Sequence, residues 1–186
     1  MKSFSNSLTN YHTFSIIHQD LILKKNYQNV NQLPKFKAVI LNTGTKVILE
    51  DKKRLIPHLL AMEFISAQKT KQIQAKIAVA SFYLQKGNWI GWKTTLRNYK
   101  MFEFLTIFVT KVLSSIEFFS GISESNIDSS GNIQIGIDNP LVFNELDFHF
   151  EAFEHVQGMN ITIQTTAKTR EESKLLISGI QIPTIN

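Results

Sequence analysis

The sequence contains no cysteine, only three arginines and no long uninterrupted hydrophobic run. The absence of cysteine excludes disulfides, thiol nucleophiles and cysteine-ligated zinc or iron–sulfur sites. Because no run reaches about 18 apolar residues, the sequence predicts no membrane-spanning helix. The first ten residues contain no arginine and no compact apolar core, so we expect neither a secretory signal nor an arginine-rich transit peptide.

What is present is enough apolar material for a folded core. Hydrophobic residues make up 43% of the 186 positions, and 14 of them are phenylalanine, which argues against disorder. We interpret residues 1–33 as an N-terminal extension with a short helix around residues 16–25. Residues 34–186 are interpreted as a single α+β domain.

The charges are distributed unevenly along the chain. Residues 1–102 carry 16 Lys or Arg against four acids, a net charge of +12, whereas residues 103–186 carry four against 11, a net charge of −7. The window from Phe64 to Phe102 has seven Lys or Arg and no acid. Such one-sided charge favours an anionic partner, and a solvated lysine face is the alternative.

Aromatic residues are interleaved with the lysines of this window, among them Tyr83, Trp89, Trp92 and Tyr99. Lysines that contact phosphates and exposed rings that stack on bases are two sources of RNA affinity that do not depend on sequence. The window therefore predicts RNA binding. The alternative for Trp89 and Trp92 is that both rings pack onto the sheet as part of the core.

Periodicity predicts helices that alternate with strands. Strands are expected at residues 38–42, 76–84, 89–97, 133–137 and 159–166, and helices at residues 51–67, 100–118 and 169–179. The inward stripe predicted for the first of these helices is Leu55, Leu59, Met62 and Ile65 or Ser66. The second and third strands are expected to form a hairpin, long enough to extend on the order of 30 Å at ~3.4 Å per residue.

This order of elements predicts an α+β fold: an antiparallel sheet with helices packed on one face and an open, basic, RNA-binding face. Thr169 and Glu172 have the spacing of a capping box at the start of the last helix. Residues 144–155 are interpreted as an acidic loop.

An enzymatic function is the competing hypothesis to RNA binding. His149 and His155 are six residues apart, which does not bring two metal ligands onto one face of a helix, and Glu151 and Glu154 between them look solvated. The segment from Asn42 to Lys46 lacks the second glycine and the Lys-Ser/Thr pair of a phosphate-binding loop. No cofactor, metal site or small-molecule substrate is predicted, and a small hydrolytic enzyme remains the minor alternative.

Several segments resemble one family and keep its order and spacing. They are residues 29–35 (NVNQLPK), 39–44 (VILNTG), 65–69 (ISAQK), 91–97 (GWKTTLR), 100–105 (KMFEFL), 131–137 (GNIQIGI) and 158–169 (GMNITIQTTAKT). Each segment is a weak signal alone, but together they resemble the L-five family of large-subunit ribosomal proteins. Residues 149–155 are similar to the plant and protist mitochondrial form.

The resemblance implies a structural constituent of the large ribosomal subunit. It implies a seat in the central protuberance and contacts to ribosomal RNA, including 5S RNA where the ribosome keeps one. It also implies contacts to P-site transfer RNA and to neighbouring ribosomal proteins, including the small-subunit head. A basic RNA-binding domain outside the ribosome is the alternative function.

The resemblance also implies candidate RNA-binding residues. These are Lys35, Lys37, Asn42, Thr43, Gly44, Gln68, Lys93, Thr95 and Arg97. A second group, Lys76, Ser81, Lys86 and Trp89, is implied for a loop that contacts transfer RNA or the other subunit. Ser81 stands where the family usually has glycine, and several arginines of the family are missing.

The resemblance places the protein in the mitochondrial matrix, on the ribosome. Lysine outnumbers arginine 17 to three in this sequence. Together with the expected lack of a transit peptide, this skew predicts that the protein is encoded in the mitochondrial genome.

Overall fold

The computed structural model describes residues 8–44, 55–82, 84–117 and 119–185. Its α-helices are α1 (Leu8–His12), α2 (His18–Lys24), α3 (Leu55–Ser66), α4 (Asn98–Ile107), α5 (Leu113–Ser115), α6 (Asn144–Asp147), α7 (Phe150–Phe153) and α8 (Arg170–Gly179). Its strands are β1 (Phe36–Gly44), β2 (Lys71–Gln74), β3 (Trp89–Leu96), β4 (Ile122–Ser123), β5 (Ile133–Ile137), β6 (Met159–Thr165) and β7 (Thr184–Ile185). Two π-helical turns, Thr13–Ile17 and Phe108–Val112, join α1 to α2 and α4 to α5.

Five strands form one antiparallel sheet in the order β2-β3-β1-β6-β5, and helices pack on it. This arrangement confirms the predicted α+β class. In β5 and β6 the buried residues alternate with exposed or half-exposed ones, as the sequence pattern predicted. None of the described helices has the length and apolar character that a membrane span requires.

The described residues fall into two compact units. The first lies within Met1–Val39, Leu96–Ile135 and Thr162–Asn186, and the second within Ile40–Thr95 and Gly136–Ile161.

The N-terminal helix belongs to the first unit. Its described part runs from Leu8 through α1 and the first π-helical turn to the end of α2 at Lys24, so it includes most of the helix predicted around residues 16–25 and extends further toward the N-terminus. The Thr9 hydroxyl donates a hydrogen bond of 3.0 Å to the carbonyl oxygen of Phe102 in α4. Ile17 lies against Gly179 at the end of α8, where a Cβ would be 2.9 Å from the Ile17 side chain. The helix is therefore packed into the core of this unit.

This packing changes the pKa of His18. Burial lowers its pKa, the nearby Lys35 charge lowers it further, and a hydrogen bond to the Pro34 carbonyl acts in the opposite direction. The folded state thus binds the proton less tightly than the unfolded state, whose histidine titrates near pH 6.5. By linkage, the stability is fully present above about pH 6.5 and is lost as the pH falls through the folded pKa.

We therefore expect the free energy of unfolding to decrease between about pH 7.5 and about pH 5.5, measured by urea denaturation at each pH. His18→Gln should show a smaller decrease, because the residue that titrates differently in the two states is gone. His155→Gln, at an exposed histidine, is the matched control and should keep the wild-type pH dependence. An equal pH dependence in His18→Gln and the wild type would contradict this prediction.

The capping box predicted for α8 is present with one difference. The Thr169 hydroxyl accepts a hydrogen bond from the Glu172 backbone N–H at 3.3 Å. The Glu172 carboxylate accepts from the backbone N–H of Lys168 at 3.0 Å, one residue before the expected partner. Inside the helix, Ser173 is fully buried and donates to the Gly131 carbonyl at 2.6 Å.

Helix α3 belongs to the second unit. The predicted helix start at Asp51 lies outside the described residues, and Pro57 is in the first turn of the described helix, where proline is tolerated. Its buried residues are His58, Ala61, Met62 and Ser66. Of the predicted stripe, Met62 and Ser66 are buried, Leu59 and Ile65 are half-buried, and the Leu55 side chain is outside the described part.

The predicted strand at residues 76–84 is wrong. The strand that pairs with β3 is β2, five residues earlier, with Lys71 opposite Lys93 and Ile73 opposite Gly91. The described residues between β2 and β3, 75–82 and 84–88, form a loop that contains the 3-10 turn Ala80–Phe82 and a bridge between Val79 and Leu84. The long hairpin and its reach on the order of 30 Å are therefore absent from the described residues.

The acidic segment at residues 144–155 was predicted to be a loop, and this was also wrong. It contains the short helices α6 and α7, which contribute the buried side chains Leu146 and Phe153. Both helices pack against α3.

Candidate nucleic-acid interface

Strands β1 and β3 are neighbours in the sheet, and each alternates buried and accessible residues. On β1 the half-exposed Asn42 lies between the buried Leu41 and Thr43. On β3 the exposed Lys93 and half-exposed Thr95 lie on either side of the buried Thr94. Since successive side chains point to opposite faces, Asn42, Lys93 and Thr95 lie on the face that points away from the buried core.

The end of α3 brings Gln68 to this face. Ala67 adopts a left-handed conformation (φ 45°) that ends the helix, and the Ser66 hydroxyl donates to the Gln68 carbonyl at 3.0 Å. The Gln68 side-chain N–H donates to the Thr95 carbonyl at 3.3 Å. Its amide oxygen accepts no hydrogen bond among the described residues. Gln68 is thereby held beside Thr95 with its acceptor available.

Lys71 and Lys93 are directly opposite each other on β2 and β3, and both side chains are exposed. Within the described part of the chain, neither lysine takes part in an ion pair. Like charges directly opposite on neighbouring strands are destabilising. This pair is therefore a local concentration of positive charge at the edge of the sheet.

The backbones of β1 and β3 approach each other closely at Thr43 and Gly91. A Cβ added to Gly91 would lie 2.3 Å from the carbonyl oxygen of Thr43, so only glycine fits at this position. The Thr43 hydroxyl is buried and donates to the Gly158 carbonyl at 3.2 Å. The Thr43 side chain thus lies on the buried face of the sheet and helps to position β1. Gly44 is exposed at the end of the strand.

The loop between β2 and β3 presents Lys76, Ser81 and Lys86, all of them exposed. Its base is closed by backbone hydrogen bonds from Ala75 to the Asn88 carbonyl (2.8 Å) and from Gly87 to the Ala75 carbonyl (3.0 Å). Gly87 has φ 92°, a conformation that favours glycine. The loop therefore has a defined base from which its two lysines project.

The two tryptophans at this end of β3 differ in exposure. Trp89 begins the strand and is 43% exposed, whereas Trp92 is 2% exposed. Their ring centroids are 6.3 Å apart. Trp89 is therefore exposed, as expected. For Trp92 the alternative is correct, because its ring is packed in the core.

Three further candidates lie in the first unit. Lys35 exchanges hydrogen bonds with Thr166: its backbone N–H donates to the Thr166 hydroxyl at 2.8 Å, and its carbonyl accepts from the Thr166 N–H at 2.9 Å. Lys37 is exposed on β1, and Arg97 is exposed directly before α4. The backbone of Lys35 is therefore fixed.

Known proteins are similar to this chain over almost its whole length. Residues 89–184 match the family model for the C-terminus of the ribosomal L-five family. Over 172 residues the chain is 41% identical to the large ribosomal subunit protein uL5m of Reclinomonas americana, in an alignment that covers 92% of this chain and 94% of the relative. It is 36% identical over 167 residues to uL5 of Nitrosomonas europaea, covering 90% and 92%, and 34% identical over 179 residues to uL5 of Borreliella burgdorferi, covering 96% and 97%.

The chain belongs to the ribosomal L-five family. It is a mitochondrial form of this large-subunit ribosomal protein, with a structural role and no enzymatic one. Ribosomal RNA and other ribosomal proteins are its partners. The resemblance stated from the sequence motifs is therefore confirmed, and the alternatives of an enzyme and of an RNA-binding domain outside the ribosome are not supported.

Sequence reasoning about this L-five family member missed Lys71. The residue was counted in the acid-free window, but the strand that carries it was placed five residues too late, so its pairing with Lys93 was not foreseen. The segment Lys71–Gln74 has one apolar residue, Ile73, between two glutamines. Such a short alternation is typical of an edge strand, and it could have identified β2 from the sequence.

Proposed function

We propose that this chain binds 5S RNA in the central protuberance through the face formed by Asn42, Gln68, Lys71, Lys93 and Thr95. The loop residues Lys76, Ser81, Lys86 and Trp89 are proposed to reach P-site transfer RNA and the small-subunit head. Lys35, Lys37 and Arg97 are proposed to add phosphate contacts from the first unit. Thr43 and Gly44 support the face through the backbone of β1.

The observation that carries this proposal is the cross-strand pair of Lys71 and Lys93. Two exposed ammonium groups directly opposite each other repel in the free protein, because no described carboxylate neutralises them. A phosphate group placed between them would convert this repulsion into two attractive contacts and release counterions. The arrangement is thus unfavourable alone and favourable against a polyanion.

The neutral residues of the face supply directional contacts that lysine does not. Asn42, Gln68 and Thr95 are half-exposed, and their amide and hydroxyl groups can both donate and accept hydrogen bonds. Ribose 2′-hydroxyls and base edges offer the complementary groups, and the 2′-hydroxyl distinguishes RNA from DNA. A pair of charges flanked by short neutral groups therefore suits folded RNA.

Trp89 supports a role for the loop in binding a second RNA or a protein. Its ring is 43% exposed beside a loop that carries two exposed lysines. Exposed aromatic rings stack on unpaired bases, and base–aromatic stacking contributes about 1–3 kcal/mol per base. The loop therefore combines stacking with phosphate contacts.

We expect Lys71→Gln/Lys93→Gln to weaken binding of the full chain to a 5S RNA transcript by on the order of ten- to a hundredfold at low salt. The slope of log affinity against log salt should become shallower by about 0.7 to 0.9 for each lost contact. The measurement is a filter-binding or fluorescence titration at several salt concentrations. Thermal melting should show equal or slightly higher stability, because a like-charge pair has been removed.

Lys24→Gln/Lys111→Gln is the matched control, since both lysines are exposed on helices and neither belongs to the proposed interface. It should keep both the affinity and the salt slope of the wild type. If the Lys71/Lys93 variant also kept both, the proposed face would not bind RNA. A control variant that lost as much affinity would show that only net charge matters.

A further inference from the structure

His58 is a buried histidine that accepts a hydrogen bond from the main chain of a distant segment. It lies near the start of α3, and its side chain is 2% exposed. Its Nε2 atom accepts from the Gln157 backbone N–H at 3.1 Å. A backbone N–H donates only to a lone pair, so Nε2 carries no proton and the neutral ring holds its proton on Nδ1. This hydrogen bond therefore exists only while the imidazole is neutral.

Gln157 and Gly158 form a closely packed corner directly before β6. A Cβ added to Gly158 would lie 2.5 Å from a carbonyl oxygen of β5, so the two backbones are in close contact here. The Gly158 carbonyl accepts the hydrogen bond from the Thr43 hydroxyl at 3.2 Å. Thr43 is next to Asn42, a residue of the proposed RNA-binding face. The corner that His58 holds thus supports β1 at this face.

The other end of α3 is attached to the same face. The Glu63 carboxylate accepts from the Thr70 backbone N–H at 3.1 Å, directly before β2. Gln68, just past the end of the helix, donates to the Thr95 carbonyl at 3.3 Å. Helix α3 therefore connects the corner at Gln157 with the part of the face that Gln68 and Thr95 form.

The charged side chains around α3 are acidic. Helices α6 and α7 pack against it, and neither residues 55–66 nor residues 136–161 include a lysine or an arginine. Besides His58, the titratable residues of these two segments are Glu63, Asp138, Glu145, Asp147, His149, Glu151, Glu154 and His155. Carboxylates attract an imidazolium, whereas burial disfavours it. A proton on His58 would thus meet opposite charge nearby, but it would remove the acceptor of the Gln157 N–H.

We propose that His58 is a positioning residue that makes RNA binding by this chain sensitive to pH. Histidine is the side chain whose charge ordinarily changes between about pH 5 and pH 8. Protonation places an N–H of the ring against the Gln157 N–H, and two donors do not bond, so the corner separates from α3. Asn42 and Gln68, which depend on the two sides of this link, then lose their relative position.

The expected direction distinguishes this mechanism from a general charge effect. Added positive charge alone tightens the binding of RNA, whereas protonation of His58 weakens it. The inference rests on the RNA-binding face proposed above and concerns how that face is held together.

The test compares the full-length wild type with His58→Gln in titrations of a 5S RNA transcript at pH 7.5 and pH 5.5. The glutamine amide oxygen can accept from the Gln157 N–H and does not titrate. The two proteins should bind equally at pH 7.5, and at pH 5.5 the wild type should bind at least about fivefold more weakly than His58→Gln. The ratio of the two affinities cancels the effects of the other histidines. A ratio that is equal at both pH values, or that changes in the opposite direction, would overturn the inference.

Two further variants complete the comparison. His58→Leu removes the acceptor at every pH and should bind RNA at least about fivefold more weakly than His58→Gln, at pH 7.5 as well as at pH 5.5. His155→Gln, at an exposed histidine, is the matched control and should behave as the wild type does at both pH values. A control that lost the pH dependence would show that His58 is not its source.

Hydrogen exchange keeps the proposal testable if circular dichroism shows that His58→Leu is unfolded. The protection factor of the Gln157 amide, corrected for the intrinsic exchange rate, should fall at least about fivefold from pH 7.5 to pH 5.5 in the wild type. In His58→Gln it should stay constant. Constant protection in both proteins would contradict the release of the corner.

The Lys71→Gln/Lys93→Gln variant, titrated at pH 7.5, separates this inference from the proposed function. If that variant bound RNA as tightly as the wild type, the proposed face itself would be wrong. If it bound weakly while the ratio of wild type to His58→Gln did not change with pH, the face would stand and the role of His58 would be rejected.

Discussion

Gly91→Ala is expected to destabilise the second unit by about 3–5 kcal/mol, a large fraction of the ~5–15 kcal/mol by which domains are usually stable. The added Cβ would lie 2.3 Å from the Thr43 carbonyl oxygen and 3.2 Å from the Gly44 Cα. Both are backbone atoms, so no side-chain rotation relieves the contact. Strands β1 and β3 would have to move apart, and the free energy of unfolding in urea measures the effect.

Gly136→Ala is the matched control for this prediction. Gly136 is also a strand glycine, on β5, but a Cβ there would meet only the Asn160 side-chain oxygen at 3.7 Å, an ordinary contact distance. This variant should change the free energy of unfolding by no more than about 0.5 kcal/mol or stabilise slightly, because alanine restricts the unfolded chain. A Gly91→Ala protein as stable as the Gly136→Ala protein would contradict the close approach of β1 and β3.

Gly91→Ala is also expected to weaken RNA binding. Asn42 is adjacent to Thr43 on β1, and Lys93 is two residues from Gly91 on β3. A displacement of β1 would therefore move Asn42 relative to Lys93. Under conditions where Gly91→Ala remains folded, its RNA affinity should fall, whereas Gly136→Ala should bind as the wild type does. This comparison separates loss of the interface from loss of the fold.

Phe108→Ala is expected to cost about 3–5 kcal/mol in the first unit, the range typical of a buried phenylalanine. Phe108 is completely buried, and its ring stacks on Phe104 with centroids 5.8 Å apart and an interplanar angle of 14°. Removing it leaves a cavity at the start of the π-helical turn Phe108–Val112. The measurement is the free energy of unfolding, with the far-ultraviolet circular dichroism of the helices as the probe.

Phe148→Ala removes the same side chain from an exposed position and controls for the change in composition. Phe148 is 85% exposed, so we expect a change within about 0.5 kcal/mol. A loss below about 1 kcal/mol for Phe108→Ala would contradict this prediction, because it would show that the surrounding helix collapses into the cavity.

The strands and the last helix were predicted well where local pattern and tertiary environment agree. In β5 the isoleucines at 133, 135 and 137 are all buried and the residues between them are exposed. The alternation is strict because one face of the sheet meets the core and the other does not. Thr169 caps α8 as predicted, since capping depends only on residues within one turn of the helix.

The misplaced strand at residues 76–84 shows where such patterns mislead. Ile77 and Val79 alternate with other residues in a way typical of a strand, yet both are exposed, at 75% and 36%. The pairing of β2 with β3 instead depends on which residues lie opposite Gly91 and Lys93. That register is set by contacts between residues about 20 positions apart, and local alternation carries no information about it.

The sequence by itself determined the family, the α+β class and the basic character of the first half of the chain. These properties follow from ordered motifs, periodicity and charge, all of which can be read residue by residue. The tertiary structure alone decided that Lys71 lies opposite Lys93, that Thr43 faces inward, and that His58 is buried against Gln157. Each of these depends on pairing or burial between distant segments, because the side of a strand or helix that meets the core is set by what packs against it.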